Sequence, residues 1–306
     1  MGSDPSALVE VVRETFGALQ DVDFPEVWGP RIVLRAQTAH GVIFAKAAGD
    51  ADVRAEQVAI RLADEAGVPV PGILTGAANR RVPGGHWFAM TAVPGIEWVA
   101  DDHALAECTL PDIARCLARL HCVRRAGFGA LDHFGNGTVG SWPEWIIQTV
   151  RGYLDRLVDS HHAPDAFRTM TLRVFERFTP DIQRGSLVHG DLTGCETFVD
   201  PSDGRVTGIV DWGGAIIGDP IYEFAKLQAG GPADDPTPRQ VLPTILKKYR
   251  AETGTDRDDL ERVLPLYQAH NALFNADWCR REGVPWIDGL LDAAGMWLRA
   301  VDGRAS

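Results

Sequence analysis

The sequence predicts an α+β fold in two parts, a strand-rich N-terminal lobe over residues 1–95 and a mostly helical C-terminal lobe over residues 96–306. Three observations support this prediction. Short apolar runs typical of strands are concentrated before Pro94-Gly95, helical periodicity dominates after it, and the dipeptide itself is a turn signal. Strands followed by helices indicate an α+β architecture.

The N-terminal lobe is expected to contain an antiparallel sheet with two helices. Leu8, Val12 and Phe16 recur at helical spacing, and two apolar runs flank a TAHG turn that favours a hairpin. The predicted elements are a helix over 6–19, strands over 31–36 and 41–47, a helix over 52–66, and strands over 67–74 and 86–93.

The C-terminal lobe begins with helical patterns over 111–123, 142–158 and 166–178, and Pro111 suits the first turn of the first of them. Residues 187–220 differ, because their short apolar runs are separated by Gly, Asp, Pro and Ser. Such runs predict short strands that present polar side chains on tight turns. The pattern is helical again from Ile221, apart from the loop GGPADDPTP.

Composition narrows the class of protein. The chain of 306 residues contains 45% hydrophobic residues and 5 cysteines, none in a CxxC pair. It shows no apolar run of transmembrane length and no signal-peptide pattern. We therefore expect a reduced cytoplasmic protein with no membrane partner, and no preference between a monomer and a homodimer.

The net charge of −12 argues against a nucleic-acid partner, which requires a basic face. Residues 1–96 contain 8 basic and 11 acidic side chains, so most of the negative charge belongs to the helical lobe. This permits a cationic partner. Ordinary acidic solubility is the alternative explanation.

An ordered set of residues fits phosphoryl transfer from a nucleotide: Lys46, Glu56, the turn at 90–95, Asp191 and Asp211. Such a reaction requires a lysine to neutralise phosphates, a glutamate to hold it, and one carboxylate each for the attacking hydroxyl and the metal. A single aspartate in a turn is more often structural. Chance is a poor explanation for the whole set.

Two motifs carry a family resemblance. HGDL at 189–192 and IVDWGGAIIGDP at 209–220 resemble the aminoglycoside phosphotransferase and choline-kinase-like family of small-molecule kinases. The resemblance implies a two-lobed protein-kinase-like fold and covers about residues 27–224. Looser matches in the same order are FAK at 44–46, Glu56, GVPVP at 67–71, MTAVPG at 90–95 and LARLH at 117–121.

The resemblance implies specific roles. Asp191 is similar to the catalytic base, Asp211 to the main Mg²⁺ ligand, Lys46 to the phosphate-contacting lysine and Glu56 to its ion-pair partner. Met90 occupies the adenine-gating position and is compatible with ATP or GTP. Backbone groups of Thr91 to Val93 would bind the base, and the nucleotide loop would lie near Trp28-Gly29.

Glu196 departs from the family pattern, which usually has asparagine five residues after the catalytic aspartate. Three interpretations remain open: Glu196 binds Mg²⁺ directly or through water, it turns away and water replaces it, or the enzyme is weakened and acts as a binding protein. Residues 193–195 also differ from relatives. Asp219 is expected to cap the following helix, and His189 to have a packing role.

The acceptor is expected between Asp191 and the distal helices, against segments 144–159 and 271–288. Carboxylates mixed with tryptophans would suit a polycationic ligand, although an acidic helix surface with core tryptophans is an equal alternative. Glu223 is expected to have a local structural role and is also counted as a candidate contact. The candidate acceptor contacts are Glu223, Asp277, Trp278, Glu282 and Trp286.

The favoured interpretation is an O-phosphotransferase that uses ATP or GTP with Mg²⁺ to modify a hydroxyl of a small cationic molecule. An aminoglycoside or basic peptide antibiotic is the preferred acceptor, which implies a role in antibiotic resistance. One alternative is a metabolic kinase for choline, an amino-sugar or a macrolide-type acceptor, and another is a weakened binding protein of the same fold. A protein kinase is disfavoured, because no APE-ended activation segment follows Asp211.

Overall fold

The computed structural model describes residues 5–25, 31–98, 103–192, 196–229, 238–255 and 259–303. It confirms the predicted α+β class, with an antiparallel sheet in the N-terminal part and mostly helices after it. Among the described helices, none is both long and apolar enough to cross a bilayer.

The N-terminal part contains a five-stranded sheet in the order β1-β2-β3-β5-β4, in which neighbouring strands are antiparallel. Its elements are α1 (Ser6–Phe16), β1 (Gln20–Asp23), β2 (Ile32–Thr38), β3 (Gly41–Gly49), α2 (Asp50–Glu65), β4 (Ile73–Ala78) and β5 (Gly85–Thr91).

Alternating side chains of the central hairpin give this sheet its two faces. Leu34 of β2 pairs with Ala45 of β3, and both are buried in a small core with Leu8 and Val12 of α1. Lys46 is the next residue along β3, so its side chain points to the opposite face. The sequence period therefore directs Lys46 away from α1 and toward α2.

The C-terminal part holds two further sheets, in the orders β7-β10-β13-β8-β9 and β12-β11-β6. Its elements are β6 (Ile96–Glu97), α3 (His103–Leu120), β7 (Arg124–Arg125), β8 (Phe128–Leu131), β9 (Gly137–Val139), α4 (Trp142–Asp159), α5 (Asp165–Phe178), β10 (Gly185–Val188), β11 (Thr197–Val199), β12 (Val206–Ile209), β13 (Ile216–Gly218), α6 (Glu223–Ala229), α7 (Pro238–Thr253), α8 (Leu260–Glu282) and α9 (Ile287–Gly303).

The helical core is organised around a buried polar chain. Trp142 of α4 donates its indole N–H to the Tyr267 hydroxyl of α8 at 2.7 Å, and that hydroxyl donates to Asp219 at 2.8 Å. Asp219 also accepts the Ile221 N–H at 3.1 Å, which confirms its predicted capping role. Because buried polar groups require partners, this series of hydrogen bonds fixes α4 and α8 against the segment after β13.

At Gly95 the chain passes from the N-terminal sheet to the sheet formed by β6, β11 and β12. The φ of Gly95 is +100°, and a Cβ there would lie 2.3 Å from the Val199 carbonyl oxygen, so glycine is required on both counts. β6 then pairs with β11. The lobe boundary at residue 95 stays a prediction, since one continuous apolar core joins α2 to the helical part.

Several element predictions differ from the structure. The strand predicted over 67–74 is observed instead as β4 at Ile73–Ala78, so residues 67–72 are not part of a strand. α3 begins at His103, so Pro111 lies inside the helix and not in its first turn. Proline removes only one N–H bond, and the buried stripe of Ile113, Leu117 and Leu120 holds the part of the helix that follows it. β1 was not predicted, because its four residues are all exposed and show no apolar alternation.

Candidate active site

The two predicted aspartates flank one short turn. Asp191 follows β10, Asp211 follows β12, and a single 3-10 turn over Trp212–Gly214 packs between them. A Cβ on Gly214 would lie 3.2 Å from the Asp191 Cβ, and one on Gly213 would lie 3.8 Å from Asp211 Oδ1. The structure therefore brings both carboxyl-bearing segments into one site.

Lys46 joins the N-terminal sheet to this site. Its Nζ lies 2.5 Å from Glu56 Oε1 and 2.9 Å from Asp211 Oδ1. Lys46 and Glu56 are only 8% and 6% exposed. Burial acts to lower the pKa of Lys46, but the charges of Glu56 and Asp211 outweigh it and the pKa is raised. The lysine therefore stays cationic at neutral pH.

Asp211 adopts a backbone conformation that is uncommon outside glycine. Its φ is 61° and its ψ is 58°, in the left-handed region. Burial acts to raise the pKa of Asp211, but the opposing effects of Lys46, Arg31 and His189 outweigh burial, and the pKa is lowered. The carboxylate therefore stays ionised. Backbone strain of this kind concentrates at functional sites, where it aims a side chain.

Glu223 binds the backbone of the loop that carries Asp191. Its carboxylate accepts the backbone N–H of His189 at 2.7 Å and that of Gly190 at 3.1 Å. The His189 ring lies 2.9 Å from the Val210 carbonyl through Nε2, while Nδ1 lies 3.3 Å from the Asp191 N–H. His189 therefore has the packing and hydrogen-bonding role that the sequence predicts.

Glu223 is not an acceptor contact, contrary to the prediction from sequence. It is 1% exposed, and both oxygens bind loop amides. Burial acts to raise the pKa of Glu223, but His121 and His189 outweigh burial and the pKa is lowered. The structure makes Glu223 an anionic support for the loop that carries Asp191, out of reach of a ligand.

The predicted adenine contacts lie on and after β5. Met90 is 6% exposed and pairs with Phe44 on one side and Ile73 on the other. The Thr91 N–H already donates to the Gly72 carbonyl at 2.9 Å, so of its backbone groups only the carbonyl remains for a base. Roles for Met90, Thr91 and Val93 in nucleotide binding stay predictions.

Glu196 is placed beside the predicted metal ligand. Its carbonyl accepts the N–H of Val210, the residue before Asp211, at 2.9 Å. Within the described ranges, no cluster of three or more His, Cys, Asp or Glu side chains could hold a metal. Mg²⁺ typically uses one or two carboxylates together with phosphates and water, so Asp211 and Glu196 are a suitable donor set.

Asp277 is not free to contact an acceptor, contrary to the prediction from sequence. Its side chain is buried, and its carboxylate lies 2.9 Å from Arg156, 3.1 Å from Arg280 and 3.8 Å from Arg281. A buried carboxylate requires such compensation, and three guanidinium groups already supply it. No unpaired negative charge remains at Asp277 to attract a cationic ligand.

The remaining acceptor candidates lie at the end of α8 and beyond it. Trp278 packs against a small apolar cluster that includes Leu157 and Ile287, and Trp286 is 54% exposed. Glu282 is the last residue of α8. Their roles in acceptor binding stay predictions. Trp28-Gly29 and residues 193–195, on which further predictions were made, lie outside the described residues.

The sequence analysis missed Lys226. This residue of α6 forms an ion pair with Asp191, and its Nζ lies 5.4 Å from the Phe274 ring centroid. Burial lowers the pKa of Lys226 to about 8. A signal was available, because Lys226 follows Glu223 by one helical turn and shares its side of α6.

A two-lobed kinase-like fold is defined by this antiparallel sheet, the lysine–glutamate pair that reaches Asp211, and the helical part behind Asp191. The chain belongs to the phosphotransferase enzyme family (APH), whose model matches residues 24–266.

Solved structures share this fold over nearly the whole chain. A thermostable mutant of aminoglycoside phosphotransferase APH(4)-Ia is similar at a TM-score of 0.76 and 17% identity, covering 97% of this chain and 99% of its own. The same enzyme was also solved in ternary complexes with hygromycin B and either ADP or AMP-PNP.

Two other solved structures with this fold are named for different acceptors. A putative fructosamine-3-kinase from Thermobifida fusca has a TM-score of 0.70 and 20% identity, covering 95% of this chain and 98% of its own. Macrolide 2'-phosphotransferase type I has a TM-score of 0.64 and 17% identity, covering 95% and 96%. Family and neighbours together support a small-molecule phosphotransferase of the kinase type.

Proposed function

We propose that this protein transfers the γ-phosphoryl group of ATP or GTP to a hydroxyl of a small molecule, with Mg²⁺. The observation that carries the proposal is the double ion pair of Lys46, which contacts Glu56 and also Asp211, a residue 165 positions further along the chain. A lysine held in this way is what nucleotide-dependent phosphoryl transfer requires. The family membership supports the same reaction class.

In this proposal Asp191 accepts the proton of the attacking hydroxyl. Lys46 contacts the nucleotide phosphates, and Glu56 keeps the ammonium in position. Mg²⁺, when bound, would neutralise phosphate charge, with Asp211 and Glu196 as its protein ligands. Backbone groups near Thr91 and Val93, with Met90 behind them, would hold the base.

A cationic acceptor, such as an aminoglycoside or a basic peptide antibiotic, is the first candidate, and antibiotic resistance would follow from its inactivation. The neighbours named for aminoglycosides and the complexes with hygromycin B support this class. The net charge of −12 is compatible with it.

A specific observation favours a second candidate. Asp277 is neutralised by arginines and Glu223 is buried, so two of the carboxylates expected to bind cations are occupied. An acceptor with fewer positive charges, such as an amino-sugar or amino-alcohol, requires fewer free carboxylates.

We also propose a cytoplasmic location, which fits the free thiols of Cys108, Cys116, Cys122 and Cys279.

The test is nucleotide consumption by the purified protein with ATP or GTP and Mg²⁺, against a panel of aminoglycosides, basic peptide antibiotics, macrolides, amino-sugars and choline. Asp191→Ala is the control, and its turnover should fall about 10²–10⁴-fold. Acceptor-dependent turnover that the control loses would support the proposal and identify the class. Tight binding of nucleotide and ligand without turnover would instead favour a binding protein.

A further inference from the structure

Lys226 is a buried cation in contact with the proposed catalytic base. Its side chain is 13% exposed, whereas that of its partner Asp191 is 38% exposed. The other described contact of the ammonium is the Phe274 ring of α8. The more exposed carboxylate is open to the site, and the lysine lies beside it on the side of α8.

The two site lysines come from opposite parts of the fold. Lys46 lies on β3 and contacts Asp211, while Lys226 lies on α6 and contacts Asp191. α6 packs against α8, one of the helices expected to line the acceptor site. A group transferred between the two aspartates would therefore have a positive charge on each side.

The reaction places the transferred group near Lys226. A hydroxyl bound to Asp191 has its oxygen about 2.6–3.2 Å from the carboxylate. In a reactive arrangement the phosphorus lies about 3–3.5 Å beyond that oxygen. An ammonium in direct contact with Asp191 is therefore within reach of the equatorial phosphoryl oxygens, on which negative charge is spread during transfer.

We propose that Lys226 is a further catalytic residue, which contacts the transferred phosphoryl group from the acceptor side while Lys46 holds the phosphates from the nucleotide side. The inference rests on the proposed function. In the step itself the acceptor oxygen forms a bond to the γ-phosphorus, and the bond from phosphorus to the β,γ-bridging oxygen breaks. The hydroxyl proton passes to Asp191, and the nucleoside diphosphate leaves with the bonding electrons.

A simpler role must be separated from this one, in which Lys226 only neutralises Asp191. Lys226→Met alone does not distinguish the two, because the uncompensated Asp191 would itself repel a γ-phosphate. In an Asp191→Asn background that repulsion is absent. There, a direct contact still favours a triphosphate over a diphosphate, whereas a lysine that only compensates Asp191 has no effect.

The experiment measures the Kd of ADP and of AMP-PNP with Mg²⁺ by calorimetry, with guanine equivalents if the wild type prefers them. The variants are Asp191→Asn, Asp191→Asn with Lys226→Met, and Asp191→Asn with Lys226→Arg. Asp191→Asn with Lys248→Met is the matched control, since Lys248 is an exposed lysine of α7. Replacing both members of the Asp191–Lys226 pair leaves neither member's charge without its partner, and thermal denaturation verifies that each variant is folded.

We expect Lys226→Met to weaken AMP-PNP relative to ADP by roughly tenfold or more in this background. The Lys226→Arg and Lys248→Met variants should keep the original ratio within about threefold on the same Coulomb argument. An unchanged AMP-PNP to ADP ratio in the Lys226→Met variant would overturn the inference and leave the proposed function standing. A wild-type protein that binds neither nucleotide would overturn both.

Discussion

The buried carboxylate of Glu223 lies 2.7 Å from the backbone nitrogen of His189, two residues before the proposed catalytic base. The same carboxylate binds the Gly190 N–H at 3.1 Å. The conformation of the loop that carries Asp191 therefore depends on a buried residue of α6.

Glu223→Gln should lower kcat more than it changes the acceptor KM. The amide keeps one acceptor oxygen but presents an N–H₂ group to a loop amide, which leaves one buried donor unsatisfied and costs about 1–3 kcal/mol of unfolding free energy. Steady-state kinetics and urea denaturation measure the two effects. Glu65→Gln, on an exposed position of α2, is the control. Unchanged kcat in the Glu223 variant would contradict a supporting role.

Stability should depend on pH through the same carboxylate. The pKa of Glu223 is lowered in the folded protein, so its contribution to the free energy of unfolding is present above its ordinary pKa. That contribution should be lost as pH falls from about 4.3 toward the lower folded value. Urea denaturation from pH 6 to pH 3 should show a smaller decline for Glu223→Gln than for the wild type. Parallel pH profiles for the two proteins would refute this.

The Lys46–Glu56 pair should separate stability from activity. Lys46→Met leaves Glu56 buried without its closest cation, which should cost about 3–5 kcal/mol of unfolding free energy. Adding Glu56→Gln removes that charge and should restore most of the stability, because a neutral buried pair needs no compensation. Activity should stay at least about 100-fold below wild type in both variants if Lys46 neutralises phosphates. Recovery of turnover in the double variant would be evidence against that role.

The two proposed metal ligands should respond differently to substitution. Asp211→Ala should abolish turnover and Mg²⁺-dependent nucleotide binding, because it removes the carboxylate next to Lys46. Glu196→Asn should retain or raise turnover, since an amide oxygen is also a hard ligand and carries no negative charge near the phosphates. Mg²⁺ titrations of nucleotide binding and turnover test both variants. An inactive Glu196→Asn enzyme would show that the carboxylate has a specific role.

Much of the site was predictable because its signals are local. The apolar period of β3 directs Lys46 to one face, HGD and DWG follow short strands, and Asp219 caps the turn after it. Such features depend on residues a few positions apart. They were sufficient to predict the fold class and to order Lys46, Glu56, Asp191 and Asp211 along the chain.

The sequence by itself thus determined the α+β class and the order of the site residues, since both depend on local periodicity and spacing. Only the tertiary structure decided which charges neutralise one another. Arg156 and Asp277 are 121 positions apart in the sequence, and Lys226 and Asp191 are 35 positions apart. No local pattern encodes either pair. The physical reason is burial: a carboxylate that packing removes from water must bind whatever donor the fold places beside it.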